Sequence, residues 1–180
     1  GVVVANTNLA VNAAVTTTGN GVVTFTQSGT TTIAAAGNIV SDGAVTVTSG
    51  GGTTTSADVT TTADAIQFAS ATGLGDAVAL VSAGGAVTFT STLDNAQNLT
   101  ITAAAGNVSF SGAVGGSTRL GTLNIVTAGD VTAGALTLAA FDQDAGTGTT
   151  TLGGAVDTNA AGGVVVANTN LAVNAAVTTT

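Results

Sequence analysis

The sequence contains no Cys, Pro, Met, Trp, Tyr, His, Lys or Glu. Without His, Lys, Glu, Cys or Tyr, general acid–base and nucleophilic chemistry has almost nothing to work with, and the expectation is a protein that is not an enzyme. Zero Cys is compatible with an extracellular bacterial protein, where disulfides are one option among several. Positive charge is nearly missing too. The only basic side chain is Arg119, against nine acidic residues, all Asp, for a net charge of -8. That balance argues against nucleic acid as a partner and offers no polybasic handle for anionic lipid. No apolar run reaches the roughly 18 residues that a membrane-spanning helix needs, so membrane insertion is not expected of this window. The chain opens in the middle of a strand-like run, Gly1-Val2-Val3-Val4, with no charged segment ahead of an apolar one, and reads as a piece of something longer.

What is present is mostly Gly, Ala, Val and Thr, arranged around one recurring pattern. GVVTFT at 21 to 26, GAVTVT at 43 to 48, DAIQFA at 64 to 69, GAVTFT at 85 to 90 and GNVSFS at 106 to 111 follow one another at intervals of 22, 21, 21 and 21. As a strand, the fourth of these puts Val87 and Phe89 on one face and Ala86, Thr88 and Thr90 on the other. GDVTAG at 129, GTTTLG at 148 and GGVVVA at 162 continue the series at intervals of 23, 19 and 14, and read as a decaying continuation in the same phase.

A second strand-like segment precedes most of the hexamers: AVALVSAG at 77 to 84, NLTITAAAG at 98 to 106, TLNIVTAG at 122 to 129, ALTLAAFD at 135 to 142 and NLAVNAAV at 170 to 177. The expectation is two short strands per coil, with Gly, Asn, Asp and Ser turning the corners. The Ala runs at 34 to 36 and 103 to 105 end at Gly and are too short for helix. An antiparallel sandwich would not require equivalent residues every 21 positions, whereas a parallel β-solenoid does, because each coil lays its strand on the one before. The predicted fold is therefore all-β, a right-handed parallel β-helix of about seven or eight coils of roughly 19 to 23 residues. Two internal ladders follow: Phe25, Val47, Phe68, Phe89 and Phe110, and beside it Val23, Val45, Ile66, Val87 and Val108. Because a single coil cannot bury its own apolar face, stability rests on the neighbouring coils.

A longer repeat overlies the short one. Residues 1 to 18, GVVVANTNLAVNAAVTTT, recur without change at 163 to 180. Residues 1–162 are thus read as one complete repeat unit and 163–180 as the start of the next copy, with identical repeats as end-to-end neighbours and lateral contact with other fibres as a further partner. Runs such as NLTITAAAGNVSFSGAVGG at 98 to 116 and LGTLNIVTAGDVTAGALTL at 120 to 138 resemble the repeats of filamentous-haemagglutinin-like giant bacterial surface proteins. The resemblance implies a right-handed parallel β-helix, an extracellular or cell-surface location, and a role in adhesion or fibre formation.

Few side chains compete for a site. Asp142-Gln143-Asp144-Ala145-Gly146 is a fragment of the D-x-[DN]-x-[DN]-G calcium loop, with Ala145 at the third ligand position and no distal Glu, so Asp142 and Asp144 are the metal candidates, for Ca²⁺, and no other cofactor is expected. Gly73-Leu74-Gly75-Asp76 is a single copy of a Gly-Asp turn. Asn98-Leu99-Thr100 and Asn107-Val108-Ser109 fit the glycosylation sequon, and Arg119 is read as a corner residue beside an Asp of an adjacent coil. Outward Thr24, Thr46, Thr88 and Thr132, with Thr26, Thr48 and Thr90 one step along, resemble a flat ice-binding array, interrupted by Gln67, Ala69, Ser109 and Gly134. The function expected is a structural unit of an extracellular fibre, sheath or stalk. The spacer of a receptor- or glycan-binding adhesin is the alternative, and an ice-binding surface a remote one.

Overall fold

The alternation of Val or Phe with Thr builds strands that bury one side, and the turn residues between them close each coil into a ring. The computed structural model describes residues 1–180 as a parallel β-solenoid of strands two to eight residues long, with no helix. Each coil has three faces, not the two strands expected. The first face carries nine strands: Val2–Asn6, Val23–Gln27, Val45–Ser49, Ile66–Phe68, Val87–Phe89, Val108–Phe110, Val131–Ala133, Thr149–Leu152 and Asn170–Val173. The second begins with Leu9–Val11, Thr31–Ile33, Thr53–Thr55, Thr72–Leu74 and Leu93–Asp94. It continues through single bridges from Leu93 to Val114 and Leu136, then through Val156 to Val177. The third runs from Val15–Thr16 through Ile39–Ser41, Val59–Thr61, Val78–Val81 and Leu99–Thr102. Two longer strands, Leu120–Thr127 and Leu136–Gln143, pass round the corner from the second face into the third, and Val164–Val166 closes it.

The missing strand was hidden by its own composition. On the second face the first inward position of these strands is Thr31, Thr53 or Thr72, all buried, and the second is Ile33, Thr55 or Leu74, so at most one apolar residue marks each segment. Their hydroxyls are satisfied inside the solenoid. Thr31 donates to the Gln27 side-chain carbonyl (2.9 Å) and lies 2.6 Å from the Ser49 hydroxyl, Thr53 donates to Ser49 (3.3 Å), and the Gln27 amide donates to the Val4 carbonyl (3.1 Å). Pairing of this kind removes most of the desolvation cost of burying a hydroxyl.

Both ladders expected on the first face are present in register. Val23, Val45, Ile66, Val87 and Val108 stack, as do Phe25, Val47, Phe68, Phe89 and Phe110, and all ten are buried. Phe68, Phe89 and Phe110 stack their rings nearly parallel, with centroids 5.2 and 5.4 Å apart. The ladders then shrink to Val131 and Ala133 and end in Thr150 and Leu152 below Leu171 and Val173.

The expectation that GGVVVA at 162 continues the first face does not hold. Val164–Val166 pairs with Phe141–Gln143 on the third face, and Asn170–Val173 takes the next place on the first. The two identical 18-residue segments therefore occupy different faces. The earlier copy places its strands on faces one, two and three, and the later copy on faces three, one and two. The physical reason is coil length. The coils vary in length and do not divide the long repeat evenly, so that between Val2 and its copy Val164 the chain winds through seven full coils and two thirds of another.

Candidate functional site

The polar side chains that drew attention in the sequence lie mostly at corners, where one coil passes its backbone to the next. The Asn98 side-chain carbonyl accepts the N–H of Thr122 (2.8 Å), and that of Asn107 accepts the N–H of Asp130 (2.9 Å). Asp130 repeats the contact one coil further with the N–H of Thr149 (2.8 Å). A second relay runs from Asn38, which accepts the N–H of Asp58 (3.0 Å), to Asp58, which accepts that of Ala79 (2.8 Å). Asp94 accepts the N–H groups of Ser117 (2.8 Å) and Thr118 (3.3 Å). Corner carboxylates and amides thus satisfy backbone donors that a strand ladder leaves open where it ends. Asp76 makes a local contact instead, accepting the N–H of Ala77 (2.8 Å).

Asp42 shows the electrostatic consequence. Its carboxylate accepts the backbone N–H of Asn20 (2.9 Å) and the hydroxyl of Thr62 (3.1 Å), and these bonds hold its pKa below the ordinary 3.8. A depressed folded-state pKa contributes stability that is complete above the unfolded value and is lost as pH falls through the folded one. Asp42→Asn should therefore lower stability at neutral pH, and the difference from the wild type should disappear as pH falls below 3.8, leaving the variant with the flatter acid limb. Thermal melts from pH 6 down to about pH 2 would check this; parallel curves for both proteins would remove the assignment.

Arg119 is a clamp across three coils. One guanidinium nitrogen donates to the carbonyls of Leu138 and Asp157 (2.9 Å each), and the other pairs with the Asp157 carboxylate at 2.6 Å. The expected neighbour was an Asp of the adjacent coil; the partner lies one coil further, because the arginine stem reaches past Leu138. With the side chains 30% and 47% exposed, screening keeps the ion pair small. Asp157→Asn should cost about 1 kcal/mol or less in denaturant titrations, with the difference shrinking as salt rises.

Asp142 and Asp144 fall on the same outward side, flanking inward Gln143. Asp142 is half-buried between Asn124 and Val165, and Asp144 is exposed. No third acidic residue joins them, and nowhere in the chain do three such residues gather. Buried Gln143 turns toward Thr150, accepting its hydroxyl at 2.5 Å, while Asn168 donates to the same hydroxyl at 2.8 Å. This internal set was not legible from the acidic fragment, whose Gln looked like a spacer.

On the first face the outward column reads Val3, Thr24, Thr46, Gln67, Thr88, Ser109, Thr132, Thr151 and Ala172. The outward column beside it reads Ala5, Thr26 and Thr48 and continues by backbone hydrogen bonds through Ala69, Thr90, Ser111 and Gly134, so Thr stands in both columns on two adjacent rungs and then once more, at Thr88 and Thr90, beyond the break at Gln67 and Ala69. The second face holds a shallow open groove of about 330 Å³ where Gly73 interrupts the row between Thr54 and Asp94. Its one ionisable lining group, Asp94, already accepts two backbone N–H groups. Polar atoms here serve the fold before they serve any ligand. Comparison with family models, with curated proteins and with solved structures finds no match to this chain.

Proposed function

We propose that this chain is a structural unit of a long extracellular β-solenoid fibre, sheath or stalk, with no catalytic role. One observation carries the reading: the second copy of the 18-residue segment is folded as further coils, paired strand for strand with residues 141 to 158. A junction between one unit and the next is therefore an ordinary solenoid step with no break in the sheets. The use made of the polar side chains supports it. Asp42, Asp58, Asp94, Asp130 and Asp157 are engaged in binding coil to coil. With adjacent strands about 4.8 Å apart, each 162-residue unit adds about 37 Å of rod.

Electron microscopy of the full-length protein on the cells that make it tests the reading. The expected result is unbranched rods whose length grows by that increment with each unit present; compact particles of fixed size would overturn it. In the adhesin alternative the same rod is a spacer, and binding of purified rods to host-cell surfaces or glycan arrays separates the two.

A further inference from the structure

The first face differs from the other two in charge. None of its nine strands contains a charged residue, and neither do the corners that lead from it to the second face at 28–30, 50–52, 69–71, 90–92 and 111–113. The carboxylates stand elsewhere. Asp94 and Asp157 lie in strands of the second face, Asp142 lies in a strand of the third and Asp58 just ahead of one, and Asp42, Asp64 and Asp130 mark the corner where the chain enters the first. The seven strands from Val23–Gln27 to Thr149–Leu152 each have a strand on either side. Their outward positions are half-buried or exposed because the coil turns them out, wherever the chain begins or ends.

A rod of net charge -8 meets a second copy of itself against repulsion on every approach that sets carboxylates opposite carboxylates. The first face is the approach that does not. Its outward side chains are small and repeat at the strand spacing of about 4.8 Å, which another copy's first face matches rung for rung. Rows of small side chains at a common spacing interdigitate when two sheets face each other. One arrangement fits the pattern of sizes. A two-fold axis parallel to the rod lays the two outward columns on each other within every rung. Gln67, the one long side chain at these outward positions, then falls on Ala69, Thr132 on Gly134 and Thr88 on Thr90. The same axis sets the Asp-bearing entry corner of each copy against the uncharged exit corner of the other. Reversing one rod about Thr88 instead brings Asp42 to Asp130 and Gln67 to Ser109. The matched area is roughly 34 Å by 15 Å, or about 1,000 Å² over both copies, at the lower limit for a specific interface.

We infer that the first face is a lateral docking surface for the first face of a second copy, the two rods lying parallel and in register across a two-fold axis. The inference goes beyond the fibre reading and stands without it, since it uses coils in the middle of the solenoid. An interface of this size makes a weak, reversible pair. No opposite charges meet across it while the carboxylates around it repel, so salt strengthens the pair.

The test uses the 180-residue chain. Small-angle scattering and sedimentation velocity over a concentration series should show dimers of doubled cross-section and unchanged length, favoured as salt rises from about 0.01 to 1 M. Thr88→Asp should weaken the pair at least about tenfold, and Thr46→Asp should do the same from another rung. Adding Thr90→Lys to the Thr88→Asp chain should restore association to within about threefold, because the two positions meet across the axis. Val40→Asp, at an outward position 50% exposed on the third face, adds the same charge and should leave the pair within about twofold. Melting profiles matching the wild type would show that each variant still folds. A chain monomeric at every concentration and salt, growth in length at constant cross-section, association that salt weakens, or dimers indifferent to both Thr88→Asp and Thr46→Asp would each overturn the inference. Failure of Thr90→Lys to restore association would overturn the parallel register.

Discussion

Truncation of Phe89 to Ala should cost about 3 to 5 kcal/mol, among the largest losses available to any single side chain in this molecule. Phe89 is buried in the middle of the solenoid, with Phe68 below and Phe110 above at stacking distance. Removing its ring leaves a void that neither neighbour can fill, because each is held by its own strand at the ladder spacing. It also removes two ring contacts, each contributing about 0.5 to 1.5 kcal/mol beyond buried area. Phe25 supplies the internal comparison. It is equally buried but lies between Val4 and Val47, with no ring on either side. Phe25→Ala should fall toward the lower end of the same range. Denaturant midpoints of the two variants against wild type check the pair, and equal losses would show that ring stacking adds nothing to burial here.

The first face was legible in the sequence because its chemistry and its spacing agree. Val87 and Phe89 alternate with Ala86, Thr88 and Thr90, and the same alternation returns one coil away. The second face was not legible, because Thr31 and Thr53 bury their hydroxyls against that of Ser49 and Thr72 turns its own to the Ser70 carbonyl, which a hydrophobic period cannot report. A signal was nonetheless available: each of these Thr follows a Gly- or Ser-rich corner after the hexamer and opens a segment of its own. The slip of GGVVVA from the first face to the third was hidden for a different reason. A strand's face depends on how much chain the preceding coils consume. The shortening intervals before GGVVVA looked like decay of the repeat, when the last of them was a step to another face. Corner residues were readable as turns, but not their partners. The group that Asp130 or Asn98 binds lies on the next coil, 19 and 24 residues away in sequence. For Asp142 and Asp144 local sequence resembled a ligand loop, while the strand keeps Asp142 between uncharged Asn124 and Val165 and leaves Asp144 exposed just past its end.

The glycines that lead the hexamers carry the second large expected effect. Turn geometry alone does not account for them, since Gly85 and Gly106 lie outside the left-handed region that Gly19, Gly84 and Gly115 adopt. Their constraint comes from the coil beneath. A β-carbon added at Gly106 would overlap the carbonyl of Gly85, and one added at Gly85 would overlap the carbonyl of Asp64. Both obstacles are backbone atoms, fixed by the ladders on either side of the corner, so the strain cannot be relieved by rotating a side chain. Gly106→Ala should therefore separate two coils locally and cost about 1 to 3 kcal/mol. Gly134 tests whether the cause is contact or merely the loss of glycine. Its nearest neighbour to an added β-carbon is the Gly112 carbonyl at 3.8 Å, an ordinary contact, and its backbone is not left-handed. Gly134→Ala should be neutral or stabilise by about 0.4 to 1 kcal/mol through the entropy of the unfolded chain. Opposite signs for the two substitutions, read as shifts in denaturant midpoint at unchanged slope, would place the requirement in the stacking of coil on coil. Matching losses would return it to intrinsic backbone preference.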